Sequence, residues 1–246
     1  MTALQSEADE LFYGGAAGGG KTDLLLGLAG TQHQQGIIFR RVFPSIRGMV
    51  ERSREIFNRE GLEHSADSYN ESLHVWRLQD ERLIEFGSMQ YEKDKNDYKG
   101  RPHDFIGWDE LPEFTETQYR YVNTWNRTTR PGQRTRIVAT GNPPTNIEGE
   151  WIIRYWGPWL DPQYPYPAAS GELRWFARIE DVDVEVEDGH TFQHKSETIQ
   201  PRSRTFIPAR LEDKSCISRV KWGMINGGVD TLQRSSLSSD HAELPS

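Results

Sequence analysis

The chain has 246 residues, a formal net charge of −8 and 27% charged residues, enough for one large α/β domain with a substantial core, with or without a tail. The negative charge argues against a protein that coats nucleic acid by bulk attraction, and no run approaches the length of apolar sequence that spans a membrane. The polar, acidic N-terminus lacks the apolar stretch of a secretory signal, and the lone Cys216 allows neither an intramolecular disulfide nor a cysteine-based metal site, so a cytoplasmic protein is expected.

In chain order, Leu11-Phe12-Tyr13 is a short apolar run entering a glycine cluster, as a buried strand feeding a turn does. Good helix formers follow over 23–29, with a helix stop expected near Gly30. Residues 36–41 are apolar and β-branched and predict a second core strand. Ser45 is placed to cap a helix to about Phe57, whose Ile46, Met49, Val50, Ile56 and Phe57 are spaced for one face. Residues 73–78 and 82–86 alternate apolar and polar and predict an antiparallel hairpin with one wet face. Phe105-Ile106-Gly107-Trp108 predicts another buried strand, ending in Asp109-Glu110, and residues 137–140 predict one more, ending in Gly141-Asn142-Pro143-Pro144. Strands alternating with helices predict an α/β fold, a mostly parallel central sheet flanked by helices, with the antiparallel hairpin as an addition.

Residues 151–167 are rich in Trp, Tyr and Pro and are expected to form an ordered loop, with 173–179 and 182–186 pairing as peripheral strands. Two domains of unequal character are expected: 1–213 folded, and 214–246 a divergent polar tail with little periodicity, poorly ordered. Charge is unevenly spread. Arg120, Arg127, Arg130, Arg134 and Arg136 lie in a stretch without acids, whereas Glu180, Asp181, Asp183, Glu185, Glu187 and Asp188 lie in one without bases. Two solvated faces of opposite sign are the plain expectation, with the arginines as an alternative phosphate contact.

Gly15, Ala16, Ala17, Gly18, Gly19, Gly20, Lys21 and Thr22 match the P-loop pattern in full, between a predicted strand and a predicted helix. Glycines let backbone N–H groups close around a phosphate, and the helix N-terminus adds its dipole. Lys21 is expected to reach the β- and γ-phosphates of ATP and the Thr22 hydroxyl to ligate Mg²⁺. An apolar strand delivering Asp109 supplies a second Mg²⁺ group, and the adjacent Glu110 is the expected general base for the attacking water. A small-molecule kinase has no need of that glutamate. Thr140 and Asn142, past the next strand, are candidates to sense the γ-phosphate, although Gly-Asn-Pro taken alone is almost as readily a turn. Hydrolysis also needs a cation on the developing charge; Arg101 is the first candidate, Arg40 and Arg41 weaker ones.

Together these motifs resemble the ATPase domain of the large terminase subunit of tailed bacteriophages. The likeness runs from about Ala8 to Asp213. It is carried by residues 13–23 (Walker A), 39–44 (second strand), 98–104 with 108–111 (the approach to Walker B), 139–144 (the coupling motif), and by 174–176 and 203–209. The resemblance implies an ASCE-type P-loop NTPase fold. It also implies a homo-oligomeric ring in the host cytoplasm, docked on the portal protein and packaging double-stranded DNA with ATP, with a small terminase subunit as partner. Three departures stand out. Ala16 and Ala17 occupy positions where many members carry a basic residue, which raises Arg101 or a neighbour's arginine as the assisting cation. Gln5 is the one nearby counterpart of an adenine-contacting glutamine. The likeness stops after Asp213, as in a truncated or frameshifted chain, so no nuclease activity is expected from this chain alone. The alternatives are a nucleotide-binding terminase remnant without motor activity, or a free-standing helicase-like ATPase.

Overall fold

The computed structural model describes residues 3–15, 18–59, 61, 68–144 and 147–210. Strand β1 (Glu10–Gly15) leads through the glycine cluster into helix α1 (Lys21–Gln32), followed by β2 (Gln35–Arg40) and α2 (Phe43–Arg59). Short strands β3 (Tyr69–Asn70) and β4 (Val75–Arg77) precede β5 (Leu83–Ser88) and β6 (Phe105–Trp108). Then come α3 (Glu116–Asn123), β7 (Arg136–Gly141), α4 (Glu150–Tyr155), α5 (Gly157–Leu160), β8 (Arg174–Ile179) and β9 (Val182–Val186). A small separate hairpin, β10 (Phe192–His194) and β11 (Glu197–Ile199), is followed by β12 (Arg202–Ala209).

Among the described residues, ten strands form one sheet in the order β3-β4-β5-β2-β6-β7-β1-β12-β8-β9. The run from β5 to β12 is parallel throughout, and β3-β4 and β8-β9 extend it antiparallel at its two margins. Strand β7 sits between the P-loop strand β1 and the acid-bearing strand β6, which is the ASCE arrangement of an α/β P-loop fold. Alternation along each central strand feeds two cores. Leu11, Tyr13 and Ile38 meet the apolar faces of α1 and α2 on one side. Phe12, Ile37, Phe39 and Trp108 meet Tyr119, Ile152 and Trp156 on the other. No described helix is long and apolar enough to cross a membrane.

Three sequence expectations change in detail, and one strand has no counterpart among them. Helix α1 runs past Gly30 to Gln32, because burial of the helix against the sheet outweighs a glycine penalty of about 1 kcal/mol. The hairpin is real, with Trp76 opposite Ile84, but β5 also pairs parallel with β2 and so belongs to the main sheet. Residues 151–167 are not all loop. Trp151, Ile152, Tyr155 and Trp156 bury one helical face over α4 and the turn to α5, and Pro158 sits in the first turn of α5, where a missing N–H does no harm. Strand β12, inside the sheet and parallel to β1, lacks a continuous apolar run because Arg202, Ser203, Arg204 and Thr205 fill its first four positions. The expected disordered tail, 214–246, lies outside the described residues.

Gly107 explains itself in three dimensions. A Cβ there would stand 3.1 Å from Ile38 Cγ1 and 3.3 Å from Leu25 Cδ2, so its absence lets α1 settle on the sheet. The oppositely charged runs meet as well. Asp183 takes a bidentate pair from Arg120 at 3.1 Å and a 2.7 Å contact from Arg204, whose guanidinium lies 3.5 Å from the centre of the Tyr155 ring. Buried Glu10 accepts hydrogen bonds from Tyr155 at 2.6 Å and Tyr119 at 3.2 Å in the same cluster. The arginine-rich stretch is therefore partly structural: Arg134 and Arg136 also donate to backbone carbonyls near the N-terminus.

Two outcomes follow from this packing. Gly107→Val overfills the seat of Leu25 and is expected to lower unfolding free energy by about 1–3 kcal/mol, read from denaturant midpoints. Burial alone would push the Asp183 carboxyl up, but the charges of Arg204 and Arg120 override it and hold it down at about 2. A depressed folded-state value means that its stabilisation is complete above the ordinary carboxylate value and is lost as pH falls from about 4 towards 2. Denaturant midpoints measured across that window should fall for wild type and flatten for Asp183→Asn.

Candidate functional site

The parallel strands place their C-terminal ends along one edge, and the loops leaving β1, β2, β6 and β7 converge there. At the end of β1 the chain turns through the glycines into α1. Gly20 holds φ 75° as the residue preceding the helix, a left-handed conformation that a side chain would make costly. From beneath, the buried Tyr13 hydroxyl donates to the Gly19 carbonyl at 2.8 Å and pins the loop to the strand. Ala16 and Ala17 lie outside the described residues.

Helix α1 then presents Lys21 and Thr22 to a cleft of about 560 Å³. Lys21 Nζ donates to Gly15 O at 3.2 Å and to Asn142 Oδ1 at 2.9 Å, and lies 3.9 Å from Glu110 Oε1. Asp109, only 2% exposed, joins three other segments. Its Oδ1 accepts from Thr140 Oγ1 at 2.8 Å, while Oδ2 faces Thr22 Oγ1 at 3.4 Å and Arg40 Nε at 3.0 Å. Glu110 follows in the left-handed region, at φ 60° and ψ 59°. That conformation is uncommon for a residue with a side chain, and such strain concentrates at functional positions.

The structure thus brings Gly18, Gly20, Lys21, Thr22, Asp109, Glu110 and Asn142 to the walls of one cleft, with Gly15, Gly19 and Thr140 directly behind them. Arg101 is not brought there. It lies ahead of β6, at the opposite end of that strand from Asp109, and is paired with Glu85 at 2.5 Å. Arg41 is also absent from the cleft, donating to Met89 O at 2.9 Å and Gln118 Oε1 at 3.0 Å. Gln5 sits in a 3-10 turn before β1 and does not line the cleft.

Sequence reasoning missed a whole wall. Ser45, Gly48, Met49 and Arg52 of α2 line the cleft at spacings of three and four, the periodicity of one helix side. Arg52 forks onto Asp23 of α1 at 2.7 and 2.6 Å, and that hydrogen-bonded pair raises its pKa above the usual arginine value. The spacing is present in the sequence, but the stronger apolar stripe of the same helix masks it. Lining charges balance, with Lys21, Arg40 and Arg52 against Asp23, Asp109 and Glu110. Thr22 and Asp109 offer hard oxygen donors of the kind Mg²⁺ selects, beside a lysine suited to phosphate, so the residues present fit a metal–nucleotide.

No family model matches the chain, and no curated protein matches it. Among solved structures it is similar to the large terminase from a thermophilic bacteriophage, with TM-score 0.45 and 12% identity over 58% of this chain and 36% of that one. A crystal form of the same terminase in complex with ADP gives 0.42 and 15% identity over 58% and 35%. The chain spans about a third of the length of these structures.

Thr140→Val keeps the volume but removes the donor to the buried Asp109 carboxylate. A hydrogen bond to a charged group contributes about 1.5–3 kcal/mol, so the variant should unfold at correspondingly lower denaturant. An unchanged midpoint would show that Asp109 does not depend on this contact.

Proposed function

We propose that this chain is the ATP-hydrolysing motor portion of a phage terminase large subunit, using ATP and Mg²⁺ to drive double-stranded DNA into a procapsid. The observation that carries the reading is the meeting of Thr22 and Asp109, 87 positions apart, at 3.4 Å in a cleft that also holds Lys21 and Glu110. A glycine-rich phosphate loop alone would be ambiguous. A loop joined by an acid pair on a strand one removed from it, as β6 is from β1, is the equipment of a hydrolase.

In this reading Lys21 and the backbone of Gly18 to Gly20 hold the β- and γ-phosphates, and Thr22 with Asp109 holds the metal, which supplies positive charge to the phosphate oxygens. Glu110 accepts a proton from the attacking water. The new bond forms between the water oxygen and the γ-phosphorus as the bond to the β–γ bridging oxygen breaks, and ADP leaves. Thr140, bonded to Asp109, and Asn142, bonded to Lys21, tie the end of β7 and the loop after it to both sides of the reaction centre. Loss of phosphate is thereby felt by a loop outside the P-loop. The ring at the portal protein, the small terminase subunit and the DNA substrate belong to this proposal through the ordered motifs of the sequence.

Steady-state ATP turnover should fall at least about 100-fold in Glu110→Gln, the loss expected of a general base, with nucleotide binding retained. Lys21→Ala should lose both. Double-stranded DNA should raise the wild-type rate. Wild-type turnover equal to that of both variants would overturn the hydrolase reading, and turnover indifferent to DNA and portal would overturn the motor reading alone.

A further inference from the structure

Among the described residues that line the cleft, three are cations with different commitments. Lys21 is held by Gly15 O and Asn142, and Arg52 is forked onto Asp23. Arg40 differs. Its buried Nε lies 3.0 Å from Asp109 Oδ2, yet it forms no aligned hydrogen bond there. The side chain is 25% exposed and lines the cleft, so Arg40 has a charge partner in Asp109 while its buried Nε donor is left without an aligned hydrogen bond.

Asp109 makes that contact consequential. Its Oδ1 is taken by Thr140, which leaves Oδ2 as the oxygen facing Thr22. A divalent cation held by Thr22 and Asp109 therefore needs the oxygen that Arg40 now neutralises, and two positive centres on one carboxylate oxygen repel. Arg40 has to yield; of the other cleft carboxylates Asp23 is held by Arg52 and Glu110 lies beside Lys21, which leaves the terminal phosphate of a nucleotide as its acceptor. A diphosphate leaves the guanidinium without that acceptor. The neighbouring Arg41 is excluded from this role, because it points to the opposite side of the sheet end and is bound by Met89 and Gln118.

Resting on the reading of the cleft as an ATP site, we propose that Arg40 discriminates triphosphate from diphosphate: it pairs with Asp109 as seen here and transfers to the γ-phosphate when the metal takes Oδ2. Metal loading and γ-phosphate recognition are then one exchange of partners. The fork of arginine matters, since a phosphate can accept two of its N–H groups and a lysine offers only a point charge.

The test is calorimetric titration of ADP and of a non-hydrolysable ATP analogue into wild type, Arg40→Gln and Arg40→Lys, each across a series of Mg²⁺ concentrations. In Arg40→Gln the preference for triphosphate over diphosphate should fall at least tenfold. The Mg²⁺ concentration that half-saturates ADP binding should fall as well, because the competing cation is gone. Equal loss for both nucleotides, the mark of a merely structural arginine, would overturn the proposal, as would an unchanged preference. If Arg40→Gln does not fold, Arg40→Lys decides: it should keep ADP affinity and lose part of the triphosphate preference, and full retention overturns the proposal. Wild type that binds neither nucleotide removes the ATP-site reading itself, whereas wild type that binds both beside variants with undiminished preference removes only the role of Arg40.

Discussion

The Asp109 carboxylate lies almost completely out of water, and a buried charge is tolerated only where partners surround it. Those partners come from α1 through Thr22, from the end of β2 through Arg40, and from β7 through Thr140. Each lies on an element whose register is set elsewhere, by the parallel ladders that align Phe39 with Trp108 and Trp108 with Ala139. A slip of one residue in any of these ladders would turn the strand-end side chain to the wrong face and leave the carboxylate uncompensated. The cleft is therefore a consequence of sheet register, and its chemistry inherits the rigidity of the two cores.

Those cores differ in character. Aliphatic residues dominate between the sheet and helices α1 and α2, where Leu24, Leu25 and Leu28 pack close to the strands and Gly107 makes room. The opposite side is aromatic, with Trp108 near Phe39, Phe114 and Tyr119 and with Trp156 against Phe12. Beyond it, buried Glu10 and Arg204 with half-buried Asp183 form an ionic cluster that fastens β12 and β9 to α3. Such a cluster specifies pairing, because removing any one member strands a charge in a dry site. It also explains why the basic and acidic stretches of the sequence are not two independent surfaces: Asp183 joins them through Arg120.

The cleft cations illustrate how a strand end chooses between neighbours. Arg40 and Arg41 are adjacent and chemically identical, yet alternation directs one to the cleft and the other to the Met89 carbonyl. Arg101, which precedes the acid strand in sequence, is carried to the far end of that strand and bound by Glu85. Nearness in sequence to Asp109 was a poor guide, because a strand of four residues separates its two ends by its full length.

Some of this protein was legible in the residues alone. The P-loop glycines with Lys21 and Thr22, the Asp109-Glu110 pair and the alternation of apolar runs with helical segments are local patterns, and local patterns are written in adjacent residues. A left-handed backbone that other side chains rarely adopt leaves the same kind of trace, as at Gly20. Only tertiary structure could assign β12 as a strand inside the sheet, since its polar residues are satisfied by Asp9, Glu172 and Tyr155, far away in the chain. Only tertiary structure could likewise turn the Ser45–Arg52 side of α2 into a cleft wall and choose Arg40 over Arg101. Those decisions depend on which strands become neighbours, and that is set by long-range packing between two cores, not by any stretch of sequence.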